Sequence, residues 1–364
     1  MENIKALVVD DTIVYRKIVG DVLKEIPGVE VVGSANNGKI ALSKIASLKP
    51  DLITLDIEMP EVNGIEVLQA LKNLPDAPVV IMLSTLTQQG SEMTIKALEL
   101  GAFDFIGKPS EGKMAENMNK VREALNPIIE ILKRQKSARL KILGKIGLKP
   151  EKTEPAIPRT VPAMPIRPAI RNKSEIVGIG ISTGGPNALA KMIPMLPGNL
   201  KVPVLIVQHM PPMFTASLAN SLNNKSNLEV REAKDGDILK PGVVLIAPGG
   251  KQMKIIAAVD GFTRKIKITD DPPENSCRPS VDYLFRSISQ HYVGRATGVI
   301  MTGMGSDGSK ALVQMKNNGS TIIAQNEETC TVYGMPKEPV ESGIADIVAP
   351  LEKIADEIVK SVIT

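Results

Sequence analysis

Between Lys133 and Lys173 the chain carries prolines at 150, 155, 158, 162, 165 and 168, and 12 Lys or Arg against 2 acidic residues. Prolines at that spacing withhold amide donors and favour extended, semi-rigid chain that cannot build a core. A sequence of 364 residues is also longer than one hydrophobic core usually serves. The tract is therefore read as a seam, with folding units expected at 1–126 and 174–364 and a basic Pro-rich linker at 127–173. The tract's net +10 leaves −6 for the rest of a chain whose total is +4, so the basicity is local. Without interleaved aromatics or a helix-turn-helix pattern beside it, the tract reads as a solvated linker, and no nucleic-acid partner is expected.

Composition excludes several classes. Hydrophobic residues make up 43% and charged residues 23%, with aromatics at 2% and no Trp, so aliphatic side chains must fill ordinary soluble cores. No run of eighteen apolar residues and no basic-then-apolar leader at Met1–Val9 is present, which predicts a cytoplasmic protein with no membrane insertion. Cys277 and Cys330 are too few for a disulfide framework and have no ligand partners at zinc spacing in the sequence, so buried or loop thiols are expected.

Before the seam, apolar runs at 6–9, 30–33, 52–55, 79–83 and 103–106 alternate with amphipathic stretches. Five βα units of this kind predict a doubly wound, five-stranded parallel sheet with functional groups at the carboxyl ends of its strands. Asp10 and Asp11 follow the first run, Asp56 the third, Ser84 and Thr85 the fourth, and Lys108-Pro109 the fifth. Mg²⁺ favours a few carboxylate oxygens with water and phosphate, and an aspartate can accept a phosphoryl group. Lys108 would pair with the new charge and the Ser84 hydroxyl would hydrogen-bond it as a switch. Each acid alone could merely cap a helix; the set at strand ends argues for phosphotransfer.

After the seam, Ile176–Ile181 runs into Ser182-Thr183-Gly184-Gly185-Pro186. A dinucleotide fingerprint fails, because Thr183 holds the third glycine position and the next strand ends in Gln208 and His209 rather than an acid. A tight turn with a capping serine stays open. So does a nucleophile, since Gly180-Ile181-Ser182-Thr183-Gly184 satisfies G-x-S-x-G. A serine nucleophile needs a base. Of the two histidines, His209 ends an apolar strand as Ser182 does, whereas His291 closes an amphipathic helical segment from Pro279 and reads as a boundary residue. Asp307, in the Gly-rich segment after 297–302, is the candidate third member, with an N-cap as its alternative. The order Ser, His, Asp differs from the Ser, Asp, His of α/β-hydrolases, so a related geometry is expected on another, mostly parallel α/β fold.

Residues 1–126 resemble response-regulator receiver domains through VVDD at 8–11, LDIEMP at 55–60 and GKP at 107–109. The resemblance implies Asp56 as phosphoacceptor, and Asp10, Asp11, Asp56 and the Glu58 backbone carbonyl as Mg²⁺ ligands. It also implies Ser84 and Lys108 as phosphoryl sensors and Phe105 at an aromatic switch position. Residues from about 175 to 350 resemble the catalytic domain of chemotaxis response regulator protein-glutamate methylesterases, through GISTGGP at 180–186, VQHMPP at 207–212, IAPGG at 246–250, RPSVDYLFRS at 278–287, MTGMGSDG at 301–308 and YGMP at 333–336.

That resemblance implies hydrolysis of glutamate γ-methyl esters on methyl-accepting chemoreceptors, and deamidation of receptor glutamines. Ser182 would be nucleophile, His209 base and Asp307 its orienting acid, with oxyanion donors near Met304 and after Ser182, and the Thr183 hydroxyl helping to place His209. No cofactor is expected for ester hydrolysis, and Mg²⁺ serves only receiver phosphorylation by the chemotaxis histidine kinase. The unphosphorylated receiver is expected to cover the hydrolase cleft. The rival reading is a response regulator whose second domain only binds a partner; a free-standing lipase or peptidase is less compatible with the attached receiver and the short approach at 210–214.

Overall fold

The protein, in a computed structural model, is described for residues 3–72, 74, 76–109, 113–146 and 173–362. In the N-terminal domain, strands β1 (Ile4–Val9), β2 (Val29–Ala35), β3 (Leu52–Asp56), β4 (Val79–Ser84) and β5 (Asp104–Gly107) alternate with helices. These are α1 (Ile13–Glu25), α2 (Gly38–Leu48), α3 (Gly64–Leu71), α4 (Gln88–Glu99) and α5 (Met114–Ile146). Among the described residues the sheet has five parallel strands in the order β2-β1-β3-β4-β5. β3 is buried along its whole length, as helices on both faces of a parallel sheet require. Local signals start the helices: Asn37 caps α2 by accepting from Ile40 N, and Asn63 and Glu66 form a capping box on α3.

The expected linker begins as helix instead. α5 continues past residue 126 because Val121, Leu125, Ile128, Ile129 and Leu132 recur at helical spacing and pack on the N-terminal core. The helix tolerates Pro127 within it. Extended chain was expected from 133, but 133–146 are helical; the proline-rich stretch from Pro150 to Pro168 lies outside the described residues.

In the C-terminal domain come β6 (Ile176–Ile181), α6 (Gly185–Met192), β7 (Val204–Gln208), α7 (Phe214–Asn223), β8 (Glu229–Glu232) and β9 (Val243–Ile246). A hairpin of β10 (Gln252–Ala257) and β11 (Arg264–Thr269) follows, then α8 (Val281–His291), β12 (Ala296–Ile300), α9 (Ser309–Asn317), β13 (Thr321–Gln325), α10 (Lys337–Glu341), β14 (Ile347–Ala349) and α11 (Leu351–Ser361). Seven described strands form a parallel sheet in the order β14-β13-β12-β6-β7-β9-β8, and β10 and β11 pair antiparallel beside it. The chain leaves β6 towards β7 on one side and later returns to β12 on the other. This topological switch point is where groups at strand ends can face one crevice.

The two domains pack against each other through α4, β5 and α5. One buried apolar cluster includes Ile95 and Leu98 of α4 together with Leu218 and Leu222 of α7. Among the described residues no helix is long and apolar enough to cross a membrane.

Candidate functional site

At the carboxyl ends of β1, β3 and β5, carboxylates and one lysine meet as the strand pattern predicted. Lys108 Nζ lies 2.8 Å from Asp10 Oδ2 and 2.7 Å from Asp56 Oδ2, and all three side chains are nearly inaccessible. Asp11 is exposed at the rim, with one oxygen each of Asp10, Asp11 and Asp56 within 4.8 Å of one another. Burial pushes Asp56 up to about 6, against the pull of Lys108 and helped by Asp10 and Asp11. Three carboxylates near one ammonium leave an excess of negative charge. An all-oxygen set of this kind fits Mg²⁺. Glu58 is exposed just beyond β3. The Ser84 hydroxyl is not turned to Asp56: Thr94 donates to it at 2.6 Å and it contacts Gly90 O at 3.2 Å, holding it against α4.

In the second domain Ser182, His209 and Asp307 follow β6, β7 and β12. Ser182 sits half-buried on the turn into α6, its amide donating to Thr302 O. Gly184 makes that turn at φ +77°, and a Cβ there would meet the Thr331 side chain at 2.3 Å. Gly303 permits close approach from β12, since a Cβ would lie 2.7 Å from Ser182 Cβ. His209 Nε2 is 2.8 Å from Asp307 Oδ2. A carboxylate in this bond accepts, so Nε2 keeps its proton and Nδ1 is the nitrogen left to exchange one. Burial depresses the imidazole, but hydrogen bonds from it to Asp307 and with Cys277 outweigh that and hold it above the usual histidine range.

Asp307 does not cap α9, the helix that follows it; it caps α8. Its oxygens accept from Val281 N at 2.6 Å, Asp282 N at 3.2 Å, Ser280 Oγ at 2.9 Å and Asn275 Nδ2 at 2.7 Å, besides His209. Burial works to raise its pKa, and these donors reverse the effect and lower it. Among the described residues no hydrogen bond joins Ser182 Oγ to His209; Nδ1 faces Cys277 Sγ at 3.7 Å instead. Catalytic hydrogen bonds are often loose before substrate binds. Nor do the amides of Thr183 and Met304 have an intramolecular acceptor among the described residues.

The N-terminal domain reaches this crevice. Thr183 Oγ1, expected near His209, donates at 2.9 Å to Asp104 Oδ2 of β5. Phe105 stacks on Phe214 with ring centroids 4.5 Å apart. Met304 packs against the apolar cluster of the N-terminal domain. Across α4 and α7, Ser91 and Ser217 hydroxyls are 2.6 Å apart, and Glu99 accepts from Ser221 and pairs with Lys225. A cleft of about 710 Å³ runs between α5, at Pro127, Glu130, Ile131 and Arg134, and the loops holding Met304 and Tyr333.

Sequence reasoning missed Asn275, Cys277, Ser280 and Asp282. The last two lie in the quoted 278–287 motif, where Ser280 before Val281 is an N-cap signal. Sequence spacing offers Cys277 no ligand partner, and the fold brings it to His209 across 68 positions. Cys330 is a half-buried loop thiol, within the expected reading, and burial first, then Glu327, push it up to about 12.

With this geometry in hand, comparison with known proteins is decisive. The family described as CheB methylesterase matches residues 177–358, and the response regulator receiver domain matches 6–120. The protein-glutamate methylesterase/protein-glutamine glutaminase of Desulfotalea psychrophila is 58% identical over 369 residues, covering 100% of this chain and 99% of that protein. The chain belongs to the CheB methylesterase family. The Bacillus subtilis protein of the same description is 44% identical over 99% of this chain and 98% of its own length. A crystal structure of the Thermotoga maritima CheB methylesterase catalytic domain aligns with TM-score 0.50 at 42% identity, covering 52% of this chain and 99% of that one.

Proposed function

We propose that this CheB-family chain is a phosphorylation-controlled protein-glutamate methylesterase and protein-glutamine glutaminase, acting on methyl-accepting chemoreceptors in chemotaxis adaptation. The observation that carries the chemistry is that Ser182, His209 and Asp307 stand at three neighbouring strand ends, with His209 hydrogen-bonded to Asp307. Ser182 Oγ attacks the glutamyl γ-carbonyl while His209 Nδ1 takes its proton, and Asp307 holds the opposite nitrogen in the protonated tautomer. The unpartnered amides of Thr183 and Met304 are the donors available to the oxyanion. The imidazolium then protonates the departing methoxide, or the departing amide nitrogen of a glutamine, which leaves as ammonia. Water, deprotonated by the same nitrogen, releases the glutamate carboxylate and restores Ser182.

For control, Asp56 accepts a phosphoryl group from the chemotaxis histidine kinase. Asp10, Asp11, Asp56 and the Glu58 carbonyl would hold Mg²⁺, which supplies charge neutralisation for an incoming phosphate. Lys108, now shared by Asp10 and Asp56, pairs with the phosphoryl oxygens, and Ser84 turns from Thr94 towards them. Freed contacts in α4 and a moved Phe105 loosen the face docked on the hydrolase. Asp104 bound to Thr183 and the Phe105–Phe214 stack support a docked state that closes the crevice.

Methanol release from methylated chemoreceptor membranes tests the hydrolase directly. The unaltered protein is expected to release methanol, and Ser182→Ala to fall to the no-enzyme rate. Release that survives Ser182→Ala would assign the nucleophile elsewhere.

A further inference from the structure

Asp307 holds the Nε2–H of His209 and so leaves Nδ1 as the ligand nitrogen, with Cys277 Sγ 3.7 Å away. Tetrahedral zinc holds sulfur at about 2.3 Å and nitrogen at about 2.0–2.1 Å, which separates the two ligand atoms by about 3.6 Å. The Cys277–His209 spacing is therefore that of a metal-ligand pair. A carboxylate on the far nitrogen of a metal-bound histidine is also the usual outer-shell partner, and Asp307, itself held by four further donors, is already in that place. Cys277, His209 and Asp307 offer ligand atoms mutually within 4.8 Å, and Cys277 is half-buried rather than sealed.

We propose that Cys277 Sγ and His209 Nδ1 form a binding site for a thiophilic divalent cation, with Zn²⁺ as the fitting ion, and that occupation of the site reversibly inhibits the hydrolase. Thiolate with imidazole selects a borderline-soft metal, whereas the all-carboxylate pocket of the N-terminal domain suits a hard one. On binding, the Cys277 S–H and His209 Nδ1–H bonds break, the sulfur–metal and nitrogen–metal bonds form, and both protons leave to solvent. Two waters complete the tetrahedron. Inhibition follows because the metal occupies the nitrogen lone pair that must take the Ser182 proton. Metal binding is independent of the ester-hydrolase reading; inhibition rests on it.

The test uses the whole protein in excess Mg²⁺, so that the receiver carboxylates do not compete. Co²⁺ is added as a spectroscopic substitute for Zn²⁺, and methanol release is measured in parallel. A near-ultraviolet thiolate-to-Co²⁺ band is expected for the unaltered protein and for Cys330→Ser. It should vanish on adding Zn²⁺ and be missing from Cys277→Ser. Micromolar Zn²⁺ should slow methanol release, a chelator should restore it, and Cys277→Ser should need at least tenfold more Zn²⁺ relative to its own uninhibited rate. No band in the unaltered protein, or a band that survives Cys277→Ser, would overturn the site. A Cys277-dependent band with no Zn²⁺ effect on methanol release would overturn the inhibitory role alone, and no release at all would point instead to the hydrolase reading.

Discussion

In the N-terminal domain three carboxylates and one lysine crowd the ends of β1, β3 and β5. In the C-terminal domain a single carboxylate, Asp307, is shared among five donors beside the ends of β6, β7 and β12. The strand-end plan is the same and the charge balance differs. Excess negative charge, with Asp56 raised to about 6 mainly by burial, suits the first site to a cation, as the proposed phosphorylation switch requires. Complete satisfaction of Asp307 makes the second site rigid, as positioned acid–base chemistry requires. A rigid site is most readily controlled by covering it, and in the proposed control β5 would link the two sites, since Asp104 and Phe105 contact the hydrolase and Lys108 adjoins them.

The largest expected effect probes the rigid half. Asp307→Asn keeps the volume but offers the ring an amide in place of a carboxylate, so methanol release should fall by about 10⁴-fold. A fall under about tenfold would mean that Asp307 only caps α8.

Asp104 probes the junction of the two halves. Burial raises its carboxyl to about 6, while hydrogen bonds from Phe105 N–H and Thr183 oppose the rise. Released to solvent, it should titrate near its ordinary value of 3.8. The docked state therefore binds the proton more tightly. Its advantage is full below about pH 4, is lost as pH rises to about 6, and the penalty of burying the charge then persists at neutral pH. Asp104→Asn removes that penalty. The full shift would correspond to about a hundredfold, and residual solvent contact reduces it, so unphosphorylated activity should fall on the order of tenfold at neutral pH. The ratio of variant to unaltered activity should approach one at pH 4, which cancels any titration of His209. A pH-independent ratio would detach Asp104 from docking.

A smaller effect in the opposite direction is expected of Phe105→Ala. Losing a stacked aromatic pair worth about 0.5–1.5 kcal/mol should raise basal methanol release about fivefold. Unchanged basal release would place the cover elsewhere on the interface.

The first sheet and the three strands β6, β7 and β12 of the second were legible because buried parallel strands read as nearly unbroken apolar runs, and the polar residue ending each run marks the functional edge; β8, β9, β13 and β14 were not read. Asp10, Asp56, Lys108, Ser182 and His209 all announce themselves in this way. Asn275 and Cys277 do not, since they belong to an irregular segment carried over the site only by tertiary packing. The docking residues Ser91, Glu99, Ser217 and Ser221 look like any polar residues on amphipathic helices. Charge in the tract from Lys133 masked the end of α5, although Val121, Leu125, Ile128 and Leu132 already carried helical spacing.

The most direct test is the rate at which a fluorophosphonate labels Ser182 in the whole protein, with and without Mg²⁺ and a small acyl phosphate. Labelling should be slow in the unphosphorylated protein, accelerate with the phosphodonor, and fail to accelerate in Asp56→Asn. Equal labelling rates with and without the phosphodonor, at full phosphorylation of Asp56, would contradict control by covering.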